Sequence, residues 1–160
     1  MMLTTMISGI IFALSVRWTW GGGWLTAREY PLHDFAGSGV VHMLGGAAAF
    51  AAAYIIGPRT GRFDPSRAAE FAPHSVPQVL SGTLLLWIGW YGFNPGSTGA
   101  MSSIHDAVAA SNAAMATTLS ASSAGTSMLF YSYFTSGRTK IDVIAFANAL
   151  LAGLVAVRAS

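Results

Sequence analysis

The sequence predicts an all-α membrane protein, a bundle of about five transmembrane helices, and three observations carry that expectation. First, 53% of the 160 residues are hydrophobic while Asp, Glu, Lys and Arg make up only 9%. An ordinary soluble domain is roughly 25% charged, and so few charges cannot cover a water-soluble globule of this size. Second, the charges are segregated: Met1–Val16, Phe35–Pro58, Phe71–His105, Ala107–Gly137 and Val143–Val157 contain none. Third, 18 Gly, 5 Trp, 9 Phe and 5 Tyr suit helices in and around a bilayer. The composition excludes an ordinary cytosolic enzyme and a disordered tail. The lack of Cys removes a disulfide scaffold, a Cys-based zinc site and a thiol nucleophile. A net charge of +2 gives no support for a nucleic-acid partner. There is no phosphate-cradling glycine loop, nucleophile elbow or His-Glu metal motif, so neither an enzyme nor a cofactor or metal is expected.

A span needs about 20 mostly apolar residues, and a charge at its centre costs roughly 2.5–3.5 kcal/mol. The charge-free intervals therefore predict helices at about 2–17, 36–57, 77–94, 105–135 and 140–157. The first is not read as a signal peptide, because it has no basic leader and no Ala-rich cleavage signal near Val16. In the second, Gly45, Ala49, Ala53 and Gly57 form a small-residue stripe along which helix backbones can approach, given a partner surface. The third ends at Asn94-Pro95-Gly96, where Pro restricts the preceding residue and Gly permits a positive φ. The fourth is too long for a simple span and is expected to be tilted or interrupted, with Gly125 the candidate break. Its hydroxyls, Ser111, Thr117, Thr118, Ser120, Ser122 and Ser123, suit a helix facing other helices. The loops 58–76 and 136–140 hold Arg59, Arg62, Arg67, Arg138 and Lys140, five charges against Arg17, Arg28 and Arg158 on the other side. The positive-inside rule then places the first group in the cytoplasm.

A few residues carry chemistry. His42 lies inside the second helix, where a titratable group is expensive and by default faces a bundle interior or cavity. Imidazole both donates and accepts hydrogen bonds, so it can pass a small polar solute through an apolar lumen; the alternative is a histidine tied to a carbonyl for packing. Asp34 is placed to cap the second helix and to lend negative potential to a cation pathway. The two are eight residues apart, roughly 12 Å along a helix, so they are no hydrogen-bonded dyad there. Trp18, Trp20 and Trp24 surround Gly21-Gly22-Gly23, either as an interfacial belt or with one indole face binding a cation. Trp87 to Phe93 ends the third helix in aromatics, with the Ser97 hydroxyl expected free at that mouth. His33, His74 and His105 fall in loops or at helix ends and are read as solvated.

The run Asp34-Phe35-Ala36-Gly37-Ser38-Gly39-Val40-Val41-His42-Met43 resembles the signature of the ammonium transporter family, closest to its plant and algal branch. Trp20 to Leu25, Gly57 to Phe63 and Gly89 to Ser97 resemble the same family in the same order, and the likeness covers about residues 9–157. Members of that family have about eleven helices and form trimers with one pore per subunit. The resemblance implies that residues 1–160 are a single transmembrane domain. That domain is expected to be a central part of the eleven-helix fold, from the end of the fourth helix through the eighth. The chain is thus expected to be a fragment of a longer protein, lacking the second pore histidine. By the same resemblance His42 is the first pore histidine, Phe93 one of two gating phenylalanines and Trp90 a pore-lining aromatic. Trp20 and Ser97 would belong to the external recruitment site, with Asp34 in a structural and electrostatic role. Three departures from the pattern involve four residues: Phe12-Ala13 where Tyr-Pro is common, Arg17 where His is common, and Arg158 in place of a small polar residue.

These likenesses imply transmembrane transport of ammonium or ammonia by an integral plasma-membrane protein, a homotrimer in the bilayer. Ammonium and potassium share charge and similar size, so a mouth with an indole face and a hydroxyl selects by hydrogen bonding. An apolar gate makes passage of the intact ion costly, and deprotonation avoids that cost. An ammonium sensor on the same fold, and a non-conducting fragment, are the alternative readings.

Overall fold

The computed structural model describes residues 2–137 and 140–157, so Arg138 and Arg158, both used in the charge count, lie outside the described residues. All regular structure among the described residues is helical. The chain divides into two units, Met1–Pro73 and His74–Ser160.

In the first unit, α1 runs through Met2–Met6, a π-helical turn Ile7–Ile11 and Phe12–Thr19. Helix α2 opens with a π-helical turn, Ser38–Met43, and continues as Leu44–Ile56. Together these make a 19-residue helix long and apolar enough to cross a membrane; α1 is apolar but shorter. The start of α2 lies two residues beyond the expected position, because Asp34 acts from outside the helix and Gly37, at φ +93°, turns the chain into it. A Cβ at Gly37 would lie 2.7 Å from Val41 Cγ2 and 3.3 Å from Trp20 Cη2, so only glycine fits there. The small-residue stripe remains uncovered: Cβ atoms at Gly45 or Gly57 would meet nothing within 4 Å. After Gly57 the chain forms a 3₁₀ segment, Pro65–Phe71, capped by Asp64, whose Oδ1 accepts from Ser66 N at 2.9 Å and Ser66 Oγ at 2.6 Å.

The second unit holds α3 (Val76–Phe93), a 3₁₀ turn Pro95–Thr98, α4 (Ile104–Thr135) and α5 (Val143–Ala156). A capping box starts α4: Asp106 N donates to Ser103 Oγ, and Ser103 N donates to Asp106 Oδ2. Of the two expected alternatives, tilted or interrupted, the interruption is absent: α4 is unbroken through Gly125. Gly125 is there to admit α5: a Cβ on it would lie 2.6 Å from Leu150 Cδ2 and 2.9 Å from Phe146 Cε2. The converse holds at Gly153 of α5, where a Cβ would lie 2.6 Å from Ser120 O and 2.7 Å from Ala121 Cα. Ala113, Thr117, Ala121, Ala147 and Leu154 are buried around these glycines. Small-residue packing thus operates between α4 and α5, and the tendency of α4 hydroxyls to face other helices is met at Thr117 and Ser120.

Because the obstacles at Gly153 are backbone atoms, no side chain can give way. Gly153→Ala gains roughly 1 kcal/mol of helix propensity but incurs overpacking of about 1–3 kcal/mol. A net fall in the unfolding midpoint in micelles is expected, and a raised midpoint would show that the helices do not approach this closely.

Helix α3 ends at Phe93, as expected, by a different device. Asn94 stays right-handed helical despite the following Pro95, and Gly99, not Gly96, takes the left-handed φ of +71°. Asn94 is held in place by its side chain: it is 3% exposed, and Nδ2 donates to Thr117 Oγ1 at 3.0 Å and to Leu154 O at 3.3 Å.

Candidate functional site

The candidate residues form one set in each unit. In the first unit the organising group is the Asp34 carboxylate. Oδ1 accepts from Gly37 N at 2.9 Å, and Oδ2 accepts from Gly39 N at 3.0 Å and Val40 N at 2.7 Å. These donors open α2, so the anion lies at the positive end of that helix. The Asp34 main chain makes a second tie, its carbonyl accepting from Trp20 Nε1 at 2.6 Å. The indole edge is thereby fixed while Trp20 stays 47% exposed, which leaves ring surface open to a cation.

The turn before it is tight. A Cβ at Gly23 would overlap the Arg17 carbonyl and lie 2.6 Å from Trp18 Cα, so this close return requires glycine. Trp18 and Trp24 meet edge to face at 6.1 Å. The Arg28 guanidinium lies 4.5 Å over the Trp24 ring, so that indole already has a cation on it. Nothing in the composition pointed to this pairing. An apolar cavity of about 260 Å³ lies nearby, lined by Trp18, Leu25, Val40 and Met43 among others.

His42 lies in the π-helical turn that begins α2. The Gly37 carbonyl accepts from both Val41 N at 2.9 Å and His42 N at 3.0 Å, the change from i+4 to i+5 bonding that defines the turn. Its Nε2 is shielded from solvent. The 260 Å³ cavity is not lined by this ring. Single-turn π-bulges recur at functional sites, but sequence periodicity does not reveal them.

In the second unit, Trp90 and Phe93 occupy the last turn of α3 with ring centroids 5.7 Å apart, tilted by 37°. The Ser97 hydroxyl is not free as expected: Oγ donates to Phe93 O at 2.8 Å, because the 3₁₀ turn brings it over the last carbonyls of α3. Its lone pairs still accept. Trp90, Phe93 and Ser97 are therefore one cluster, steadied from below by buried Asn94. That asparagine was read only as a helix stop; a polar residue inside a long charge-free interval was the signal for more. Tyr91 Oη and Thr118 Oγ1 are 2.7 Å apart and join α3 to α4 as well. His33, His74 and His105 are exposed.

The whole chain, residues 1–160, matches the profile of the Ammonium Transporter Family. It is 37% identical to an ammonium transporter of Archaeoglobus fulgidus over 98% of this chain and 34% of that protein. It is 38% identical to ammonium transporter 1 member 2 of Oryza sativa subsp. japonica over 98% of this chain and 35% of that protein. Against ammonium transporter 1 member 2 of Arabidopsis thaliana the identity is 38%, over 96% of this chain and 33% of that protein. The chain spans about a third of the length of these relatives. With a family match over residues 1–160 and relatives 37–38% identical along nearly all of it, this chain belongs to the ammonium transporter family.

Proposed function

We propose that this chain supplies a central part of a pore that moves ammonium, as ammonia, across the plasma membrane, working as a homotrimer of the longer protein. Trp20 and Ser97 recruit the cation, Trp90 and Phe93 line and gate the entrance, and His42 lines the lumen. Asp34 holds the entrance of α2 and adds negative potential. One observation carries the reading: an imidazole with a solvent-shielded Nε2 stands in the 19-residue apolar helix, a position too costly to keep without use. Ammonium differs from alkali cations in that it can leave its proton outside.

The test is a chimera. The matching third of the Archaeoglobus transporter is replaced by this chain and expressed in cells that cannot take up ammonium. Growth on low ammonium as the sole nitrogen source is the expected result. A chimera that is present in the membrane and supports no growth would overturn the proposal.

A further inference from the structure

The loop after α2 carries two arginines with which, among the described residues, no acid forms an ion pair. Gly57, at φ +73°, ends the helix, and Arg62 N donates to Arg59 O at 2.9 Å to close the next turn. The loop's other charged side chains are engaged within it. Asp64 caps Ser66, and Arg67 lies across Gly61, where a Cβ would meet Arg67 Nη1 at 2.5 Å. Arg67 is paired with Glu70, Nη2 to Oε2 at 2.6 Å and Nε to Oε1 at 3.0 Å. That pairing holds the Glu70 carboxyl below its usual range, and the Ser66 donors do the same for Asp64.

Arg59 and Arg62 are left. Among the described residues neither has a carboxylate within ion-pair distance. Both instead lean on one ring: their Cζ atoms are 5.9 and 5.7 Å from the centroid of Phe71, and Arg62 is also 5.6 Å from Phe63. Two like charges about one ring repel each other, and a guanidinium fork matches phosphate oxygens. Beside them Phe63 is 80% exposed, and Tyr54, Ile55 and Ile56 at the end of α2 are 82%, 82% and 77% exposed. Unpaired cations thus stand next to bare apolar surface at the end of a membrane-length helix.

We infer that Arg59, Arg62 and Phe71 form a binding site for the phosphodiester headgroup of an anionic membrane lipid, whose acyl chains lie along the Tyr54–Ile56 end of α2. The site rests on the membrane reading given above. The lipid, more than free phosphate, fits because cationic and apolar surfaces adjoin.

The purified chain in uncharged detergent is titrated with dihexanoyl phosphatidylglycerol, dihexanoyl phosphatidylcholine or inorganic phosphate, and bound lipid is read by native mass spectrometry. Phosphatidylglycerol is expected to bind best. Arg59→Ala with Arg62→Ala should weaken it about 30-fold, since each arginine near an anionic surface is worth about 1 kcal/mol. Arg28→Ala should leave binding unchanged. Equal binding of the two lipids, or phosphate competing as well as phosphatidylglycerol, would overturn the lipid site. If the double variant loses helicity, Phe71→Leu retains both charges but removes their platform, and unchanged binding there would overturn the site too. Alkaline carbonate extraction of membranes separates the two ideas. Release of the wild-type chain sinks the membrane reading, whereas retention with no lipid preference sinks this site alone.

Discussion

Asp34→Ala is expected to destabilise the first unit by about 3–6 kcal/mol, from three charge-assisted hydrogen bonds at roughly 1–2 kcal/mol each. The size follows from what is left behind. Gly37 and Val40 are buried, and alanine leaves their N–H groups without the acceptor that satisfies them in this part-buried turn. The favourable charge at the positive end of α2 disappears as well. Asp34→Asn is the informative companion. With its amide oxygen in the Oδ2 position it still accepts from Gly39 and Val40, while its NH₂ group faces Gly37 N–H, donor against donor. Asparagine should therefore recover about half of the loss. Thermal unfolding in micelles measures all three proteins. Equal midpoints for aspartate and alanine would mean that α2 begins without this cap.

His42→Ala in the chimera is expected to reduce uptake of labelled methylammonium to background with normal amounts of protein in the membrane. The ring can accept from ammonia at one nitrogen and donate at the other, and alanine offers neither. A histidine kept only for packing would behave differently: its loss would lower stability and abundance and leave uptake per molecule unchanged. Uptake per molecule is thus the deciding quantity. Full activity per molecule would remove His42 from the conduction path, leaving the fold and Asp34 cap untouched.

The five long helices were legible because charge placement marks them and Asn94-Pro95-Gly96 stops the third; the observed ends fall within three residues of the expected ones. What periodicity missed has a common physical source. A π turn changes which carbonyl each N–H finds, and no residue type signals it. The extra residue rotates everything after it by roughly 100°, so the face presented by His42 could not be read from a 3.6-residue wheel. Gly125 is ambiguous for a different reason: a glycine in a long helix is either a break or a place for a neighbour, and only Leu150 and Phe146 decide between them. The same holds for Gly45 and Gly125, both small residues on helices, of which only the second receives a partner here. Ser97 looked free because a hydroxyl after a helix stop has no partner in sequence; the 3₁₀ turn supplies Phe93 O. The candidate residues were named from a likeness in sequence. Their local groupings, Trp20 with Asp34 and Ser97 with Phe93, are read from the coordinates.

The last turn of α5 is finished by its neighbours. Two of its carbonyls are met from inside the protein: Gly153 O by the Ser120 hydroxyl at 2.7 Å and Leu154 O by the Asn94 amide. The donors belong to segments made earlier during synthesis. The closing turn of α5 is therefore completed by side chains from the end of α3 and from α4, and its amide protons are expected to gain protection from exchange only after those two helices have come together.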